Sequence, residues 1–105
     1  GGYYDCSSLV QRLYQEVGIS LPAIASTQGE FMVTHGLEVT EGELEPGDLI
    51  FYSYEQNGQF RNISHVAIYV GNGRMVHAAN SRRGVVNDPF NPSNIGLYGR
   101  PSRLQ

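Results

Sequence analysis

One local constraint governs how this chain can fold: two apolar runs joined across Gly71-Asn72-Gly73. Val66-Ala67-Ile68-Tyr69-Val70 is rich in β-formers, and Arg74-Met75-Val76-His77-Ala78 follows the turn residues directly. Glycine and asparagine tolerate the backbone that a tight turn needs, so the two runs must return on one another as an antiparallel hairpin. A hairpin centred on Asn72 places His77 opposite Ala67, within a residue or two of His65, which opens the first arm. Two imidazoles at one end of a hairpin can face the same side of a sheet.

The segments around the hairpin complete a fold class. Leu9, Val10, Leu13, Tyr14 and Val17 recur at helical spacing, with Asp5 or a near neighbour as the cap and Gly18 as the stop. A shorter helix is predicted from Ser26 to about Val33, ended by Gly36. After the turn Leu44-Glu45-Pro46-Gly47-Asp48, the run Leu49-Ile50-Phe51-Tyr52 reads as a buried strand. Residues 53–62 read as a polar loop, Val85-Val86 as a short strand, and Asn87 to Asn94 as a second loop. The stretch from Tyr98 to Arg103 is expected at the sheet edge, because Pro101 lacks a ladder donor. Helices followed by hairpin-linked strands give an α+β domain, with the helices on one side of an antiparallel sheet.

Composition narrows the class further. A chain of 105 residues makes a single domain, 1–105, able to bury a core without disulfide staples. A net charge of -3 and the lack of a basic cluster argue against nucleic acid as a partner. No apolar run approaches the roughly 20 residues of a membrane span, and no signal peptide is visible. The opening Gly1-Gly2-Tyr3-Tyr4 lies almost inside the first motif, as expected of a domain cut from a longer precursor.

Cys6 is the only cysteine, and it falls at the first turn of the first helix. Unpaired backbone N–H groups and the helix dipole there favour a thiolate, the nucleophilic form. If this helix packs on the face that carries the two imidazoles, Cys6 meets His65 and His65 meets His77: nucleophile, base and orienting group. Cys6, His65 and His77 could also hold zinc, but their long spacing lacks the short ligand pairs of metal sites, so no metal is expected. His35 at a helix end, Asp48 after its turn and the Arg82-Arg83 pair read as structural or solvated.

These residues together resemble the NlpC/P60 peptidases, papain-like cysteine peptidases of bacterial cell walls. Asp5-Cys6-Ser7-Ser8-Leu9-Val10 is similar to the family's Asp-Cys-Ser-Gly-Leu-Val motif. Leu21-Pro22, Gln28 and the block from Leu44 to Tyr52 follow its central pattern. His65-Val66-Ala67-Ile68-Tyr69-Val70-Gly71-Asn72-Gly73 resembles its strand and turn, and Met75-Val76-His77-Ala78 the segment with the third polar residue. The resemblance runs from Gly1 to about Arg103. It implies Cys6 as nucleophile, His65 as base, His77 as orienting residue, and Asp5 and Ser7 as holders of the substrate's free amine. The implied substrate is a peptidoglycan stem peptide, cut between D-γ-glutamate and the diamino acid, with no cofactor, by a monomer that is secreted or held in the cell envelope. Ser8 and Ala67 replace glycines of the pattern, and Ala23 stands where an arginine often follows the proline. The family's tyrosine before the Gly-Gly pair would lie ahead of Gly1, or Tyr3 or Tyr4 substitutes for it. A related amidase cutting the sugar–peptide bond, and a non-catalytic wall-binding module, are the competing readings.

Overall fold

The computed structural model describes residues 5–104. Two helices, α1 (Cys6–Glu16) and α2 (Ala25–Thr34), precede six strands: β1 (Glu38–Val39), β2 (Leu49–Tyr52), β3 (His65–Gly71), β4 (Arg74–Asn80), β5 (Gly84–Pro89) and β6 (Ile95–Gly99). The strands form one sheet in the order β1-β6-β2-β3-β4-β5, with every neighbouring pair antiparallel. Both helices pack on the same face, so the expected α+β arrangement stands.

The pleat of β2 explains its unbroken apolar run. Leu49 and Phe51 join Val10, Met32, Ile63, Val66 and Ile68 in the core beneath the helices. Ile50 and Tyr52 point the other way, into a second cluster with Val39, Ala67, Met75 and Tyr98. A strand buried on both faces has no polar alternation to display.

Three expectations needed correcting. β6 is an interior strand between β1 and β2, not an edge. It runs so close beneath α2 that a side chain on Gly99 would collide with the Met32 side chain. Pro101 stands just past the strand, opening a short 3-10 turn, where its missing N–H costs no ladder bond. β5 continues through Asn87, Asp88 and Pro89, residues expected in a loop. Finally, Leu13 and Val17 are exposed, because only the first half of α1 lies over the sheet. Tyr14 instead bonds through its hydroxyl to the Gly47 carbonyl, tying the helix to the turn before β2.

Two polar ties fix the frame of the site. Asp48, expected to be structural, is buried and accepts bonds from Arg100 at 2.8 and 2.9 Å and from the Glu45 N–H at 2.8 Å. Gln28 is fully buried and donates to the carbonyls of Ser7 (3.0 Å) and Pro22 (2.8 Å), locking the first turn of α1 against α2.

Candidate active site

Asp5 caps α1. Its carboxylate accepts from the Ser8 N–H at 2.8 Å, while the Ser8 hydroxyl accepts from the Asp5 N–H at 3.0 Å. This reciprocal box gives Ser8 a use that a glycine could not supply. The Ser8 N–H also holds the Asp5 carboxyl below its usual range. Cys6 follows as the first helical residue, half-buried, with Ser7 behind it donating to Asp5 at 3.3 Å.

The hairpin takes the expected register. Ile68 pairs with Val76 and Tyr69 with Met75; carried on, this sets Ala67 against His77. The β3–β4 ladder pairing ends at Ile68, short of both histidines. There the start of α1 reaches the sheet, and the N–H of Val66 favours the charged form of the Cys6 sulfur. The imidazoles lie on the face of Tyr52, opposite the helices: the ring of His65 sits 6.1 Å from that of Tyr52. The helix that carries Cys6 and the two imidazoles therefore lie on opposite faces of the sheet, with the Cys6 sulfur at the backbone N–H of Val66, next in sequence to His65.

His65 Nε2 and His77 Nδ1 are 2.7 Å apart, a hydrogen bond between rings set nearly edge-on at 75°. His77 is almost wholly buried, and its Nε2 lies 2.9 Å from Asp88 Oδ2. Arg83 in turn grips both oxygens of Asp88 at 2.9 Å. Neither Asp88 nor Arg83 was singled out as part of a site from the sequence. His77 pairs with Val86, so Asp88 is its diagonal neighbour on the same sheet face, and a longer β5 would have brought it into view. Tyr54, from the segment expected as a plain loop, stacks on Tyr52 and stands 6.3 Å from the His65 ring.

Electrostatics correct the expectation of a resting thiolate. Burial pushes the Cys6 thiol up, with the nearby Asp5 charge adding to it, and these outweigh the backbone N–H groups. Burial, aided by His77, brings His65 down to about 4. Burial thus disfavours the charged form of each group taken alone.

A cleft of ≈ 270 Å³ opens beside the sulfur, walled by Asp5, Cys6 and Ser7 on one side and by Asn57, Gln59 and Ser64 on the other. Among the described residues that line it, Asp5 is the only carboxylate. Tyr3 and Tyr4 fall outside the described residues. His35 packs on the Phe31 ring, away from this cluster. Among the described residues no group of three or more His, Cys, Asp or Glu is arranged to hold a metal ion, and no helix is long and apolar enough to cross a membrane.

The NlpC/P60 family pattern matches residues 1–96. The chain belongs to the NlpC/P60 family. The domain is 33% identical over 101 residues to a Bacillus cereus gamma-D-glutamyl-L-lysine dipeptidyl-peptidase, covering 95% of this chain and 28% of that protein. It is 41% identical over 80 residues to the bifunctional muramidase/DL-endopeptidase CwlT of Bacillus subtilis, covering 74% of this chain and 22% of that protein. A crystal structure of a Bacillus cereus NlpC/P60 family protein superposes with a TM-score of 0.77 at 30% identity, covering 92% of this chain and 31% of that one. RipD of Mycobacterium tuberculosis, described as a non-catalytic NlpC/p60 domain protein adapted to peptidoglycan binding, superposes at 0.74 with 26% identity, covering 92% and 66%. This NlpC/P60 domain thus spans under a third of the curated relatives it matches.

Proposed function

We propose that this NlpC/P60 domain is a cysteine endopeptidase that hydrolyses peptidoglycan stem peptides, at the bond between D-γ-glutamate and the diamino acid. The carrying observation is the 2.7 Å hydrogen bond between His65 Nε2 and His77 Nδ1, which leaves Nδ1 of His65 without a hydrogen-bond partner among the described residues, on the residue next to Val66, whose N–H serves the Cys6 sulfur. An imidazole oriented by a third group, next to a thiol in a cleft, is what thiol acyl transfer requires.

In the proposed reaction, His65 Nδ1 takes the Cys6 proton as sulfur attacks the glutamyl γ-carbonyl carbon. The oxyanion is met by the backbone N–H of Cys6, left unpaired at the helix start. The C–N bond then breaks and the leaving amine takes the proton from His65, leaving a glutamyl thioester. Water gives a proton to His65 as its oxygen adds to the thioester carbon. The thiolate leaves, recovers that proton, and the product is a carboxylic acid. Asp5 and Ser7 face the cleft where the free amine of the stem peptide would lie, and the Asp5 charge suits an ammonium group. The domain would act as a monomer outside the cell membrane, where this substrate is found.

The intact Cys6, His65 and His77 set argues against a purely wall-binding role. Mass spectrometry of purified muropeptides after digestion tests the proposal. New D-glutamate carboxyl ends and free diamino-acid amines are expected from the wild type and not from Cys6→Ala. Cleavage at the sugar–peptide amide would establish the amidase reading instead, and intact muropeptides that still bind would establish the wall-binding one.

A further inference from the structure

The Arg83–Asp88 pair stands beyond the three residues that the proposed reaction uses, and its geometry bears on how they work. We propose that Asp88, clamped by Arg83, is a positioning residue that fixes the proton positions of both imidazoles and so presents an unprotonated nitrogen of His65 to Cys6. The inference rests on the cysteine-peptidase reading above.

An ionised carboxylate can only accept hydrogen bonds. Arg83, and then the N–H of His77, hold the Asp88 carboxyl well below its usual range, so it stays ionised. The 2.9 Å contact between Asp88 Oδ2 and His77 Nε2 therefore requires the proton on His77 Nε2. A neutral His77 then has a lone pair on Nδ1. The 2.7 Å contact between that atom and His65 Nε2 requires the proton on His65 Nε2. A neutral His65 is left with a lone pair on Nδ1, the nitrogen a general base must offer to a thiol. One carboxylate thus sets two tautomers in series.

Arg83 makes the arrangement rigid. Its fork occupies both Asp88 oxygens, at 2.9 Å each, so the carboxylate cannot rotate away from His77. Arg83 is half-exposed, and its Cζ end is held by Asp88 alone among the described residues. Its exposure leaves it open to substitution with little effect on the core.

The test reads ring-nitrogen tautomers by 15N NMR in the intact protein, alongside turnover of a stem-peptide substrate. In the wild type, both histidines are expected to carry their proton on Nε2. Asp88→Asn keeps the size of the side chain but can present an N–H to His77. Asp88→Ala removes the acceptor altogether. Either is expected to populate the Nδ1–H form of His77 and to lower kcat at least about tenfold with KM within about twofold, since a wrong tautomer disables the base. Asp88→Glu, with an acceptor restored, is expected to recover part of the loss. Arg83→Gln is expected to give a milder drop in kcat and broadened His77 signals. Wild-type tautomers together with wild-type kcat in both Asp88→Asn and Asp88→Ala would overturn the proposal. The NMR arm needs no turnover, so a wild-type protein that cleaves no stem peptide would refute the functional reading while the tautomers still decide the role of Asp88.

Discussion

Treatment of Cys6 with iodoacetamide across a pH series gives the sharpest check on the site's electrostatics. Burial holds the Cys6 thiol above its ordinary 9.0 and brings His65 down to about 4, so each charged form is disfavoured on its own. A thiol raised above 9.0 is less than about 1% thiolate at pH 6. A small free thiol at pH 6 is also less than about 1% ionised. Alkylation of Cys6 at pH 6 should accordingly run within several-fold of a simple thiol and climb as pH rises above about 7. An acid-side plateau at rates two orders of magnitude above a simple thiol would refute the reasoning, and would mean that the helix-start N–H groups outweigh burial after all.

Other outcomes follow from the same geometry. The rate profile of kcat/KM should fall on the acid side near pH 4, where His65 takes a proton, and stay level through neutrality; a fall centred near 6.5 would show an unperturbed imidazole. His65 is harder to protonate folded than unfolded, so the unfolded chain gains protons first as pH drops below about 6.5. Urea titrations should show up to about 3 kcal/mol of stability lost between about pH 6.5 and 4, and none of that loss in His65→Gln. Muropeptide turnover should vanish in His65→Gln but survive measurably in His77→Gln, because an orienting acceptor can be replaced and a base cannot; a loss well under tenfold in His77→Ala would remove His77 from the mechanism. Gly99→Ala should cost on the order of 1–3 kcal/mol in chemical denaturation, since the added carbon would collide with the Met32 side chain; an unchanged midpoint would show that Met32 yields freely.

The hairpin was legible because its turn chemistry is local. Gly71-Asn72-Gly73 leaves one register, and that register alone puts His77 near His65. The helix start was legible for the same reason, Asp5 being a capping residue beside its own N–H targets. What escaped was decided by distant partners. Pro101 suggested an edge, yet the place of β6 is set by Val39, Tyr98 and the fit of Gly99 beneath Met32. The polar run Asn87-Asp88 looked like a loop because its strand has only one neighbour and one solvated face. The thiolate expectation weighed the helix dipole and had no means of weighing burial, which sequence spacing does not report.

The position of β6 has a consequence for synthesis. Among the described strands, the one that completes the middle of the sheet leaves the ribosome after the other five, and the Arg100 N–H that closes onto Leu37 follows it. A nascent chain that has already made Cys6, His65 and His77 still presents β2 with one unpaired margin and a fully apolar sequence. Cys6, His65 and His77 are therefore all synthesised before the sheet that frames them can close. A product truncated before β6 would carry β2 as an exposed apolar edge, so premature termination there would yield aggregation-prone fragments.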